Sequence, residues 1–289
     1  MVPGHEITGI VSKIGDKVTK FKIGDKVGVG CYVHTCKKCE RCQQQVEQYC
    51  SGLVLTYNAR YPDKTPTYGG YSNIMVVDED YVLRIPENLP LDAAAPLLCA
   101  GITLYSPLRH WNAGPGKHVA VLGLGGLGHM GVKLARAMGA EVTVLSQSEK
   151  KRSDAVRLGA HNYHAMSDKD NFNKLKGKFD IILCTVSSEI DWQGYVNMLK
   201  VDGTFVALGL PEKRDISLNV GSFIFQRRTF AGSMIGSISE TQEMLDFCGR
   251  FNITSDIEVI PIQKVNEAYE RVLKSDVRYR FVIDMNSLD

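Results

Sequence analysis

Val119-Ala120-Val121-Leu122-Gly123-Leu124-Gly125-Gly126-Leu127-Gly128 is the stretch on which the fold turns. A short apolar run meets Gly-x-Gly-x-x-Gly, and helical periodicity follows from Leu127 to Met138. Strand, tight turn and helix in that order open a βαβ unit. Gly123 permits the turn, Gly125 lets a pyrophosphate approach the backbone, and Gly128 allows close helix–strand packing. The N–H groups at the start of the helix face phosphate oxygens. Gly123, Leu124, Gly125, Gly126, Leu127 and Gly128 are therefore read as a dinucleotide-binding loop, the plainer alternative being a glycine turn that only packs.

The strand after this helix, Glu141 to Leu145, bears on which dinucleotide is bound. NAD sites usually carry an acidic residue roughly 20 positions after the first glycine, on the ribose hydroxyls. Here Ser146-Gln147-Ser148 stands in that place, with Lys150, Lys151 and Arg152 close behind. A small neutral site beside cations suits the additional phosphate of NADP, which an aspartate would repel. Ser146, Gln147, Ser148 and Lys151 are thus candidate NADP(H) contacts, although Lys150 and Lys151 also suit the solvated face of a helix.

Outward from this centre, strand and helix patterns alternate. Glu149 to Leu158 reads as helix, and Phe179 to Thr185 and Gly203 to Leu208 as strands. That alternation predicts a parallel sheet with helices on both faces. Residues 92–110, 240–250 and 264–274 look helical, and Arg280 to Met285 is a closing strand. Residues 1–90 read differently, as mostly β with irregular loops. Strands are expected at Ile7 to Ile14, Lys26 to Gly30, Tyr71 to Val77 and Tyr81 to Ile85, with turns at Gly15-Asp16 and Gly24-Asp25. The fold class is α/β, in three segments: residues 1–90, 91–252 and a return over 253–289.

A net charge of +2 from 34 basic and 32 acidic residues points to neither nucleic acid nor an acidic membrane. No apolar run suggests a membrane span or signal peptide. Of eight cysteines, four are grouped as Cys36-x2-Cys39-x2-Cys42-x7-Cys50. The grouping suits a metal site in a reducing, cytoplasmic setting better than a secreted disulfide framework. Four thiolates can close around one tetrahedral zinc and leave no open position, so the expected role is structural. The loop is polar, and a metal cross-link would offset its ordering entropy. An iron–sulfur cluster uses the same atoms, but the seven-residue gap and Ser51 fit the ferredoxin spacing poorly.

Gly4-His5-Glu6, Gly9, Gly15 and Val18, the four-cysteine loop, Gly69-Gly70-Tyr71-Ser72, Leu97-Leu98-Cys99-Ala100-Gly101 and Gly123 to Gly128 occur in this order. In these motifs the whole chain resembles the medium-chain zinc-dependent alcohol dehydrogenases, in their cinnamyl alcohol dehydrogenase-like branch. The resemblance implies a Rossmann nucleotide-binding domain beside a mainly-β GroES-like catalytic domain. It implies a second zinc, catalytic, with His5 as histidine ligand, Cys99 as second cysteine ligand and Glu6 as the adjacent acidic residue that can exchange with substrate. Thr103 is placed with the cofactor contacts. Without that context, His5-Glu6 would be a solvated pair and Cys99 a buried apolar thiol.

The first cysteine ligand, a serine or threonine that relays the alcohol proton and a histidine behind it are expected upstream of Gly4. The chain is accordingly expected to be N-terminally truncated, with its catalytic zinc site incomplete and zinc-dependent turnover weak or absent. Cys31 is the one nearby thiol without a role. The resemblance gives it no ligand position, though it could substitute. The implied reaction is hydride transfer between NADPH and aldehydes or primary alcohols, aromatic or unsaturated ones included. Two other readings stay open: a catalytically impaired nucleotide-binding protein with structural zinc only, and a scaffold subunit of a dimer. For a homodimer, Thr229 to Met234 is the interface candidate, its plainer role being an internal edge strand.

Overall fold

The computed structural model describes residues 1–213 and 215–288. The chain divides into two compact units, Thr103–Met234 and the combination of Met1–Ile102 with Ile235–Asp289.

In the combined unit, β1 (Ile7–Ile10), β2 (Lys26–Val29) and β5 (Val82–Arg84) form an antiparallel sheet in the order β1-β2-β5. β3 (Tyr32–His34) and β4 (Val54–Leu55) make a separate antiparallel pair. Val29, Val33 and Val54 are the centre of a small core, with Ile7, Tyr61, Met75 and Val77 packed on it.

Tyr71 to Val77 is not a strand, contrary to the expectation from its sequence. Met75 and Val77 do reach the core, while Ile74 and Val76 are 76% and 90% exposed. Alternation reports which residues are covered, but a ladder also needs a partner. Ser72 instead donates its hydroxyl to the carbonyls of Gly69 and Ile74, giving this backbone a local arrangement. The same unit takes in the late segments, where β12 (Ile257–Pro261) lies parallel to β13 (Arg280–Asp284).

Thr103–Met234 contains a six-stranded, wholly parallel sheet in the order β11-β10-β9-β6-β7-β8. Its strands are β6 (His118–Leu122), β7 (Glu141–Ser146), β8 (Asn162–Ala165), β9 (Phe179–Cys184), β10 (Leu199–Ala207) and β11 (Thr229–Gly232). The apolar runs of β6 and β9 are buried almost throughout, as a sheet covered on both faces requires. Chain order reverses at β6, which pairs with β7 on one side and β9 on the other. Ligands of such sheets bind beyond the carboxyl ends of the strands at that reversal, and the glycine loop occupies that place.

At the opposite ends of the strands, Asp180 on β9 accepts from the His118 N–H of β6 at 2.8 Å and from Lys200 Nζ of β10 at 2.7 Å. Burial pushes the Asp180 carboxyl up, but Lys200, the His118 N–H and Lys117 outweigh it, and its pKa lies below the usual value. A depressed carboxylate stabilises the fold above its unfolded pKa of about 4, and that contribution is lost as pH falls through the lower folded value. Asp180→Asn is expected to cost about 1–2 kcal/mol at pH 7, Lys200 being partly solvated. In urea titrations the gap to the parent protein should narrow below about pH 4. Equal stability at pH 7 would remove Asp180 as the clasp of these strands.

Candidate functional site

Two groups of side chains in the first unit can hold a metal. In one, Cys36, Cys39, Cys42 and Cys50 converge. The Sγ separations are 3.9 Å for Cys36–Cys42, 3.5 Å for Cys39–Cys42, 3.7 Å for Cys39–Cys50 and 3.5 Å for Cys50–Cys36. A tetrahedron with metal–sulfur bonds of about 2.3 Å has edges of about 3.8 Å, so the four sulfurs surround a tetrahedral centre of suitable size. Backbone N–H groups are aimed at the sulfurs, Cys39 to Cys36 Sγ at 3.3 Å and Gly52 to Cys50 Sγ at 3.3 Å. The N–H groups of Lys38 and Cys39 lower the Cys36 thiol to about 6. From within the loop, Lys37 Nζ reaches Asp78 at 2.9 Å and Asp80 at 2.7 Å, tying the loop to the segment before β5.

The second group is His5, Cys31 and Cys99, whose ligand atoms all lie within 4.8 Å of one another. Backbone contacts explain the convergence. The segment before β1 is held by three bonds: Gly69 N–H to Val2 O at 2.8 Å, Tyr71 N–H to Pro3 O at 3.0 Å and Gly70 N–H to Gly4 O at 3.1 Å. A side chain at Gly69 would collide with the Pro3 and Gly4 carbonyls, which accounts for the Gly69-Gly70 pair. His5 then stacks on Tyr57 with ring centroids 5.8 Å apart.

Cys31 and Cys99 meet through a second close approach. A Cβ at Gly28 would stand 2.8 Å from Leu98 Cδ1, and one at Gly30 would stand 3.1 Å from the Leu98 carbonyl. With hydrogen at both positions, the turn ending Ala95–Leu98 settles on the end of β2, and Cys31 Sγ lies 3.7 Å from Leu98 O. The Cys31 thiol and His5 both hydrogen-bond the Cys99 sulfur, holding its pKa well below the usual thiol range against the opposing effect of burial. The same Cys99 contact, together with burial, pushes Cys31 well up.

Glu6 stands beside this group. Its Oε2 accepts from Arg280 Nη2 at the start of β13, while Oε1 is buried without a hydrogen-bond partner. A buried carboxylate oxygen left unpaired costs about 1–3 kcal/mol. A cation nearby would reduce that cost, and the donor set of one imidazole and two sulfurs fits a metal ion. Burial raises the Glu6 pKa and Arg280 opposes it. Sequence reasoning had singled out His5, Glu6 and Cys99 but missed Arg280 and gave Cys31 no position. The available signals were slight, Gly-x-Gly before Cys31 and a lone arginine opening a late strand.

In the second unit, Gly123 takes φ +94° immediately after β6. A side chain at Gly128 would run into the Gly123 carbonyl, whereas nothing lies within 4 Å of a Cβ placed at Gly125. Thr185, unremarked in the sequence, donates to Leu122 O at 3.0 Å and Gly123 O at 3.2 Å and so fastens the loop. Ser146 ends β7, followed by Gln147 and Ser148, and the Ser148 carbonyl accepts from Tyr163 Oη. Lys151 Nζ donates to Leu124 O at 2.7 Å, which brings its cation onto the glycine loop. Leu124, Gly126 and Leu127 complete the loop, and Thr103 is 8% exposed.

Residues 1–87 match the alcohol dehydrogenase GroES-like domain family, and residues 126–250 the zinc-binding dehydrogenase family. The chain is 62% identical over 290 residues to NADP-dependent alcohol dehydrogenase C 1 of Mycolicibacterium smegmatis, covering 100% of this chain and 83% of that one. A cinnamyl alcohol dehydrogenase of Sorghum bicolor superposes with TM-score 0.96 at 46% identity, covering 100% of this chain and 82% of the other. For the CAD of Helicobacter pylori, solved in complex with NADP(H), the TM-score is 0.92 at 43% identity, covering 99% and 82%.

Acid should empty the four-cysteine centre, because protons compete for the thiolates. A chromogenic chelator is expected to draw metal from the loop faster at pH 5 than at pH 7.5. Stripping that metal should expose residues 36–50 to proteolysis, as little apolar burial holds the loop. Protease resistance unchanged by chelation would show that the metal does not order it.

Proposed function

We propose that this chain, a member of the medium-chain zinc-dependent alcohol dehydrogenases, carries NADP-dependent alcohol and aldehyde dehydrogenation, and that its own residues serve the reaction as follows. The observation that carries the reading is the His5, Cys31 and Cys99 cluster with the orphaned Glu6 oxygen beside it. His5 and Cys99 hold the catalytic zinc, and Glu6 adjoins it. Cys36, Cys39, Cys42 and Cys50 hold the structural zinc. When bound, zinc polarises an alcohol or aldehyde oxygen and NADPH supplies hydride.

The chain's part is positioning and charge. His5 is fixed by the Gly69–Tyr71 backbone and by Tyr57. Cys99 offers a thiolate. Arg280 anchors one Glu6 oxygen and leaves the other free to face a cation or an exchanging ligand. In the second unit Gly123 to Gly128 receive the pyrophosphate, and Ser146, Gln147, Ser148 and Lys151 take the 2′-phosphate end. The absence of an acidic side chain at the end of β7, with Lys151 held on the loop at 2.7 Å, supports NADPH over NADH. Aromatic and unsaturated aldehydes are the proposed substrates, in keeping with the cinnamyl alcohol dehydrogenases among its relatives.

β11 ends the parallel sheet, and Val220, Ile224 and Phe225 shortly before it are 67%, 70% and 82% exposed. A second copy of this chain covering that edge would give a homodimer. Phe225→Asp should lower the sedimentation coefficient toward that of the monomer, and an unchanged value would discard this interface.

The catalytic reading is tested by aldehyde-dependent NADPH oxidation in zinc-loaded protein: measurable turnover, even weak, supports it, and NADPH binding with silence toward every aldehyde offered favours the catalytically impaired nucleotide-binding reading. Lys151→Glu should reduce kcat/KM for NADPH by about tenfold or more, the worth of one charge-assisted contact, while altering kcat/KM for NADH far less. Equal losses with both cofactors would show that Lys151 supports the loop and does not read the phosphate.

A further inference from the structure

We propose that a cleft at the amino ends of the parallel strands, at the opposite end of the sheet from the glycine loop, binds a small phosphate-bearing anion between Arg136, His161 and Lys178. The cleft encloses about 470 Å3, within the usual range of small-molecule sites. All of its walls belong to the second unit. His118 and Glu141 open β6 and β7, His161 and Lys178 immediately precede β8 and β9, and Lys200 lies near the start of β10. Arg136 stands in the last turn of the helix Gly128–Ala137. A wholly parallel sheet gathers its strand starts on one edge, so residues far apart in the chain meet there.

Two hydrogen-bond donors face each other at the rim. His161 Nδ1 accepts the Val142 N–H at 2.9 Å, so that nitrogen carries no proton. The ring's hydrogen then sits on Nε2, a tautomer assigned from this bond. An Arg136 N–H nevertheless points at the same Nε2. Guanidinium has no lone pair to offer, so neither group can accept from the other. An anionic oxygen placed between them accepts from both. The approach of the arginine is built into the chain: Gly159 takes φ +107°, and a Cβ there would stand 3.1 Å from Arg136 Cγ.

Charge in the cleft agrees. Lys117, Arg136, Lys178 and Lys200 are permanent cations, and the carboxylates are Glu141 and, behind the wall, Asp180. Asp180 is engaged by Lys200 at 2.7 Å and lies 3.7 Å from Lys117, while Glu141 accepts from Asn162 Nδ2 at 3.0 Å. Among the described residues, Arg136 and Lys178 have no carboxylate partner. Burial lowers the His118 pKa, and Lys200 and Lys178 add to that against Glu141 and Asp180. The positive excess suits a phosphate dianion, whose oxygens take charge-assisted donors from several directions. Walls of one prevailing sign concentrate such ions from solution. The chain as a whole is near charge balance, 34 basic against 32 acidic residues, which favours a small anion over nucleic acid.

Lysine acetylation of the full chain, read residue by residue by mass spectrometry with and without inorganic pyrophosphate, tests the site. The titration is run in about 0.15 M KCl, which screens loose attraction to exposed charge. Pyrophosphate should protect Lys117 and Lys178, which are both exposed in its absence. Lys151 reports separately on the glycine loop, and protection of Lys151 alone would move the anion to the cofactor site and overturn the proposal. Arg136→Gln should raise the pyrophosphate concentration needed to protect Lys178 by about tenfold or more, the worth of one charge-assisted contact. Arg136 is exposed, so the substitution leaves the core untouched. Unchanged protection in Arg136→Gln, or no protection of Lys178 in the parent protein, would refute the site. Ribose 5-phosphate and inorganic phosphate separate two sources of the same chemistry. Stronger protection by ribose 5-phosphate assigns an organic phosphate, and equal protection assigns free phosphate, the cleft being an anion site in either case.

Discussion

Close backbone approach at positions without side chains is the constraint on which both functional centres depend. Gly69 and Gly70 allow the segment Val2–Gly4 to bond to them, which fixes His5. Gly28 and Gly30 admit Leu98, which sets Cys31 against Cys99. Gly128 admits the Gly123 carbonyl, which sets the glycine loop against its helix. A β-carbon would meet backbone at Gly69, Gly30 and Gly128 and packed side chains at Gly70 and Gly28, and cores transmit such displacements because they are close-packed. Ligand geometry is therefore a consequence of main-chain packing, with the side chains following.

Charge is managed differently at the two metal-binding groups. The four-cysteine loop is partly exposed and collects N–H groups around its sulfurs, so it can carry negative charge before any metal arrives. In the His5 group the Cys31 thiol and His5 both hydrogen-bond the Cys99 sulfur and favour its charged form. There Arg280 crosses from β13 to pair with Glu6, and the second oxygen of Glu6 is left without a partner. Breaking such a pair strands a charge, which is more costly than never having had the pair.

Legibility in the sequence followed the range of the interactions involved. Most of the parallel sheet was readable because strands and helices such as Val119–Leu122 and Leu127–Met138 are decided locally, by an apolar run and a helical period. Its glycine loop was readable for the same reason. The strand expected at Tyr71–Val77 does not form because an apolar run can pack on a core without pairing, while strand formation needs a neighbour that local sequence does not announce. The short strands Tyr32–His34, Val54–Leu55 and Asn162–Ala165 carry too few residues to show a period. His5, Glu6 and Cys99 were visible only through family resemblance. Arg280 and Cys31 join them by contacts 274 and 67 residues apart in the chain, and no periodicity reaches that far.

Zinc K-edge X-ray absorption on the metal-replete protein, with its zinc content determined on the same sample, tests the central claim most directly. One closed all-sulfur centre and one mixed centre average to about three sulfur and one nitrogen or oxygen neighbours per zinc, at two zincs per chain. A single zinc with an all-sulfur first shell would contradict the account, because the His5 group would then hold no metal.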